Sequence, residues 1–288
     1  MIPAAFDYLA PRTLEEALEA LAAHGEDARL LAGGQSLLPL LKLRLARPKL
    51  LVDLRKISGL DGAERRNDRL CIGALATHYK IESSAALAKS GRLLVETAGV
   101  IGDLQVRNLG TIGGSLVHAD PGSDWPAAIL ALGGELLMHG PAGERRIRAE
   151  DFFLGPMTTA IGPREILTEI QVPAAQRRSG SAYFKARQRA SGFALVGVAV
   201  ALRVDSKGSC EEIGIGVTGL ADRPFRARAA EERLRGEKLA PRLIEEAAAR
   251  VADGVEPLSD LHGSAEFRSH LARIYGARAI RAAAQRAR

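Results

Sequence analysis

Leu31-Ala32-Gly33-Gly34-Gln35-Ser36-Leu37 is the stretch on which the reading of this chain turns. A short apolar run, Ala28 to Leu31, stops there abruptly. Residues 37–45 follow, mostly apolar, with Pro39 tolerable only in a first helical turn. Two adjacent residues without Cβ let the backbone turn tightly and aim several N–H groups at one point, an anion nest. The helix N-terminus behind it adds partial positive charge, and Ser36 offers a hydroxyl. A pyrophosphate needs such a cradle, although one Gly-Gly by itself reads more readily as a plain tight turn.

Working outward, Thr13-Leu14-Glu15-Glu16 is a capping box in which Thr13 is the N-cap and Glu16 reaches back to it. Leu14, Leu18 and Leu21 recur at helical spacing, Gly25 closes that helix, and Leu50 to Leu54 reads as a second strand. Residues 1–55 therefore form a first strand–helix unit around the Gly-Gly turn. In the next unit, 56–176, a strand follows the Asn67-Asp68 turn and helices are expected at 81–88, 92–100 and 127–132. A Gly-rich loop is expected over 102–126, a hairpin over 135–148 and a strand at 166–172. A polar linker around 173–180 opens the last unit, 177–288. Strand-like runs at 182–188, 194–204 and 213–218 precede an Ala/Arg/Glu-rich remainder that is helical in three pieces, predicting a small α+β domain with a three-stranded antiparallel sheet.

The loop at 102–126 carries the second informative stretch, Asn108-Leu109-Gly110-Thr111-Ile112-Gly113-Gly114-Ser115-Leu116. It again sets Gly-Gly before Ser, with Thr111 as a further hydroxyl. Two such turns, one per unit, suit a dinucleotide in the crevice between them, and the pair is far more specific than either member.

The 288 residues carry a net charge of +6, but the basic residues are scattered among acidic ones without interleaved aromatics, which argues against a nucleic-acid groove. Cys71 and Cys210 are isolated, so the chain alone holds neither a zinc ribbon nor an iron–sulfur cluster. The first residues lack a signal-peptide pattern, and the longest apolar run is too short to span a bilayer, so a cytoplasmic protein is expected. Gly214-Ile215-Gly216-Val217-Thr218-Gly219 matches a dinucleotide fingerprint to the letter, yet it lies inside a strand pattern rather than between a strand and a helix. His118, Asp120 and Asp124 read as loop polarity rather than a metal site, and neither Ser36 nor Ser115 has a telling His–Asp partner.

Ala32-Gly33-Gly34-Gln35-Ser36 with Leu38-Pro39, Leu43-Arg44-Leu45-Ala46 and Leu51-Val52-Asp53-Leu54 resembles the first FAD motif of molybdenum hydroxylase flavoprotein subunits, the family of the carbon monoxide dehydrogenase medium chain and the xanthine dehydrogenase flavin domain. Residues 101–108 leading into Thr111-Ile112-Gly113-Gly114-Ser115 resemble the second. His118 to Pro126, Asp151 to Gly155 and Asp260 to Arg268 continue the likeness, so it covers essentially the whole chain.

The resemblance implies a two-part FAD-binding domain of the vanillyl-alcohol-oxidase type followed by the small α+β domain. It implies that Ala32, Gly33, Gly34, Gln35, Ser36 and Leu37 hold the FAD pyrophosphate from one side, and Thr111, Gly113, Gly114 and Ser115 from the other. Asp124 would accept from a cofactor hydroxyl, Ile101 and Val106 would pack near the ring, Thr77 would line the crevice, and Lys185 would reach toward the flavin. Position 35 is Gln where some relatives have His, and Gly192, before Phe193, stands where the family often has an acid. Implied partners are a large molybdopterin subunit and a small subunit with two 2Fe–2S clusters, as a dimer of heterotrimers serving an external electron acceptor. The different reading to weigh is a stand-alone FAD-dependent oxidase of the same fold.

Overall fold

The structure, a computed structural model, describes residues 2–287. Its first sheet is small and parallel, with Leu50–Asp53 between Asp7–Leu9 and Ala28–Leu31. All four residues of the central strand are buried, as a parallel strand covered on both faces requires. The helix Leu14–His24 packs on it through Ala17, Ala20 and Leu21. Thr13 accepts from the Glu16 amide as expected, whereas the Glu16 carboxylate reaches one residue further back, to the Arg12 amide at 2.8 Å.

The second sheet is antiparallel throughout, in the order Ala63–Arg66, Arg69–Gly73, Ile166–Pro173, Glu135–Gly140, Gly143–Arg148. Ile166–Pro173, last in sequence, is its centre. The segment expected as a Gly-rich loop is largely helical: Leu104–Leu109, Ile112–His118 and Asp124–Ala131. Local capping explains the difference, because Asp103 accepts from the Val106 amide and Thr111 from the Gly114 amide.

The C-terminal sheet has four strands, not three. Ser179–Arg187, Ala194–Val204 and Cys210–Thr218 are joined by the two-residue strand Phe225–Arg226, which pairs with Gly216 and Val217. That edge strand is too short to leave a period in the sequence. Along Ser179–Arg187 alternate residues share a face, so Tyr183 and Lys185 point the same way as Gly197, Ala199, Gly214 and Gly216 across the register. The buried helix Asp124–Ala131 lies on this face: a Cβ at Gly216 would overlap the carbonyl oxygen of Ala127, and one at Gly214 that of Ala131. The opposite face carries the last helix, Ala265–Arg286, where Gly180 admits the carbonyl of Ala283. The sheet is thus the middle layer between two helices.

Candidate functional site

The two Gly-Gly turns face each other. Gly33 lies against the peptide that joins Leu109 to Gly110, so closely that a Cβ would overlap the Leu109 carbonyl oxygen. A Cβ on Gly114 would stand 3.8 Å from the Cβ of Ala32. Beside this seam opens a cavity of about 570 Å³, bordered by both turns, by Ile101 and Val106, and by Ser191, Gly192 and Phe193 from the loop between the first two strands of the C-terminal sheet. Its size lies within the ordinary range for a cofactor pocket.

The turns are built differently. In the first, the Gly34 carbonyl accepts from the Leu38 amide at 3.0 Å and the Ser36 carbonyl from the Leu40 amide at 3.4 Å. The N–H groups of Gly33, Gly34, Gln35 and Ser36 donate to no acceptor among the described residues. Gly34 sits at φ +74°, where L side chains are strained, and the helix Leu37–Lys42 begins just beyond. In the second turn, the Gly113 amide donates to the Ala74 carbonyl at 2.9 Å and the Gly114 amide to Thr111 Oγ1 at 3.1 Å. Its glycines admit close backbone packing, since a Cβ on Gly113 would come 2.6 Å from the Ala74 oxygen. The open nest is therefore the first turn, and the second supplies the wall opposite.

Of the residues expected at a site, Ala32, Gly33, Gly34, Gln35, Ser36, Leu37, Ile101, Val106, Thr111, Gly113, Gly114, Ser115 and Asp124 all border this cavity. Thr77 and Lys185 do not. Thr77 caps the helix His78–Glu82 and bridges to Thr111. Lys185 Nζ lies 2.9 Å from the Asp124 carboxylate and donates to the Gly192 carbonyl at 2.7 Å. Asp124 also accepts from the Tyr183 hydroxyl at 2.5 Å. Burial pushes the Asp124 pKa up, against the pull of Lys185 and Tyr183, and burial pushes the Lys185 pKa down, against the attraction of Asp124. A carboxylate has about four lone-pair sites, so Asp124 keeps capacity for an acceptor role toward the cavity.

Residues that the sequence did not flag as site residues are His78 and Ser123, and Asp120, read there as loop polarity, also borders the cavity. His78 and Trp125 form a buried pair, with Trp125 Nε1 donating to His78 Nδ1 at 3.0 Å. Ser123 shares a 2.6 Å hydrogen bond with Ser115. Asp120 Oδ1 accepts from the Gly122 amide at 2.8 Å, which shapes the loop ahead of Asp124. Period-2 reading of Ser179–Arg187 could have found Tyr183, two residues before Lys185. Nothing in the sequence pairs His78 with Trp125.

A family model described as the FAD binding domain in molybdopterin dehydrogenase matches residues 4–175. The chain belongs to that family. A second model, the CO dehydrogenase flavoprotein C-terminal domain, matches residues 181–283. The carbon monoxide dehydrogenase medium chain of Afipia carboxidovorans is 39% identical over 288 residues, covering 100% of both chains. The nicotine 6-hydroxylase medium subunit of Paenarthrobacter nicotinovorans is 37% identical, covering 93% of each. Among solved structures, carbon monoxide dehydrogenase from Hydrogenophaga pseudoflava superposes with a TM-score of 0.96 at 39% identity, over 99% of each chain. This member of the molybdopterin-dehydrogenase flavoproteins is thus a medium, FAD-binding subunit of an oxidoreductase of the molybdenum hydroxylase type. The residues present fit FAD: free amides converge at the first turn, and the cavity has the volume and the apolar flank that a dinucleotide with a planar ring requires. Among the described residues no helix is long and apolar enough to cross a membrane.

Proposed function

We propose that this chain is the electron-transfer subunit of a heterotrimeric molybdenum hydroxylase. It takes electrons from the 2Fe–2S clusters of a small subunit and passes them to an external acceptor, while a large molybdopterin subunit oxidises the organic or gaseous substrate. The observation that carries this reading is the face-to-face placement of the two turns on one cavity, with the amides of Gly33 to Ser36 free. FAD, when bound, supplies the redox chemistry. The chain's own residues bind, orient and shield it.

In this reading the amides of residues 33–36 and the dipole of the helix Leu37–Lys42 hold the pyrophosphate, with Thr111, Gly114 and Ser115 forming the opposite wall. Ile101, Val106 and Phe193 flank the ring and exclude water from one side. Asp124 accepts from a polyol hydroxyl, and Lys185 holds Asp124 and the Gly192 carbonyl in place. Residues 1–55 and 56–176 form the two halves of the FAD-binding domain and 177–288 the C-terminal domain. The assembly is a dimer of heterotrimers in the cytoplasm. Relatives named for substrates as unlike as carbon monoxide and nicotine support assigning substrate choice to the partner subunit.

The test is the visible spectrum of the purified chain, alone and after co-expression with the genes that neighbour its own. Flavin bands, joined on co-expression by iron–sulfur absorbance and two co-purifying subunits, are expected. A chain that stays colourless with added FAD and captures neither partner overturns the proposal. Turnover of an organic substrate by the isolated chain would favour a stand-alone oxidase instead.

A further inference from the structure

His78 is the first residue of the helix His78–Glu82, and only 4% of its surface is exposed. Trp125, fully buried on the helix Asp124–Ala131, presents its indole nitrogen 3.0 Å from Nδ1. An indole nitrogen can only donate, so Nδ1 must accept, and the proton of a neutral ring is on Nε2. The ring is neutral, since burial and then the nearby Arg107 charge push its pKa down from 6.5 to about 4.

Nε2 itself faces Gly110, where a Cβ would come within 2.7 Å of it, and His78 borders the cavity beside the seam between Gly33 and Leu109. Among the described residues it finds no hydrogen-bond acceptor. Nε2 is not among the sealed side-chain nitrogens that lack a partner, so it keeps access to the cavity, and with the tautomer fixed it can only donate there. The complement is an acceptor oxygen supplied by whatever fills the cavity next to the open nest.

We propose that His78 Nε2–H donates to a pyrophosphate oxygen of the bound dinucleotide, and that Trp125 is the positioning residue that fixes its tautomer. The inference rests on the FAD reading above. It assigns the second wall a side-chain donor in place of the amides that Ala74 and Thr111 already engage.

The purified full-length chain is titrated with FAD and, separately, with riboflavin, which lacks the pyrophosphate. The 15N resonance of His78 Nε2 and the two 31P resonances of bound FAD are followed. FAD is expected to shift the Nε2 signal, and riboflavin to leave it in place. His78→Phe is expected to weaken FAD binding about ten- to a hundredfold, move one 31P resonance and leave riboflavin affinity unchanged. His78→Gln, which can accept from Trp125 and still donate, should restore most of the affinity, and Trp125→Phe should fall between. An Nε2 signal unmoved by FAD, or equal weakening of FAD and riboflavin in His78→Gln, overturns this inference alone. Failure of the unaltered chain to take up FAD overturns the cofactor reading and this one with it.

Discussion

The ammonium of Lys185 lies 2.9 Å from the carboxylate of Asp124, and each side chain is only 4% exposed. One residue belongs to the C-terminal sheet and the other opens the helix that borders the cofactor cavity, so the pair fastens the two matched domains at the site itself. A buried charge left without its partner is far more costly than the pair is stabilising.

Lys185→Met should therefore destabilise the chain by roughly 3–5 kcal/mol, and the double change with Asp124→Asn by clearly less. Urea midpoints of the two single variants and the double variant measure this coupling. Additive midpoints would mean that the pair contributes nothing beyond its separate side chains.

Gly33→Ala forces the first turn away from the Leu109 carbonyl. The expected loss is roughly 1–3 kcal/mol of cofactor affinity, about ten- to a hundredfold in Kd. Gly62→Ala is the control, since nothing lies within 4 Å of a Cβ there. Flavin fluorescence quenching reads both, and equal affinities would refute the close approach.

Arg268 is 3% exposed and donates to the carbonyls of Leu195 and Gly219 at 2.7 and 2.5 Å, and to Asp260 at 2.7 Å. Those carbonyls close the ends of strands whose next contacts reach the cavity loop: Gly219 N–H donates to Pro121 and Ala194 N–H to Gly122. Arg268→Met should cost roughly 3 kcal/mol or more, because two buried carbonyls and a carboxylate lose their donor together. Arg268→Lys should recover only part, lacking the fork. Chemical denaturation monitored at Trp125 checks the order of the three proteins.

His78 predicts a pH limb. Its folded pKa is depressed from 6.5 to about 4, so the unfolded chain binds the proton first. The stability it contributes is complete above pH 6.5, declines as the pH falls from 6.5 to 4, and is lost below that, by about 3 kcal/mol in all. Urea unfolding at half-unit pH steps should show this limb, and His78→Gln should flatten it.

How far the residues themselves disclosed the site depends on the range of the interaction. The first turn was legible because strand, glycines and helix start are consecutive, Leu31 to Leu37. The second was legible as a motif but not as a structure: capping by Asp103 and Thr111 makes helices where Gly-rich composition suggested a loop. Phe225–Arg226 escaped because two residues carry no period. His78 and Trp125, 47 positions apart, meet only through tertiary packing, so nothing local announces them. Tyr183 lay within reach, as alternation along its strand puts it beside Lys185.

Gly214 and Gly216, the letters of an apparent nucleotide fingerprint, instead let the helix bearing Asp124 rest backbone to backbone on the C-terminal sheet. Side chains between two bodies act as springs: they change rotamer, yield a little and let one body drift against the other. Where main chain meets main chain there is nothing to yield. The joint beneath the cavity is therefore stiff by omission, and give at this site is to be sought in the loop carrying Ser191 to Phe193 on the cavity border rather than in a swing of one domain about the other.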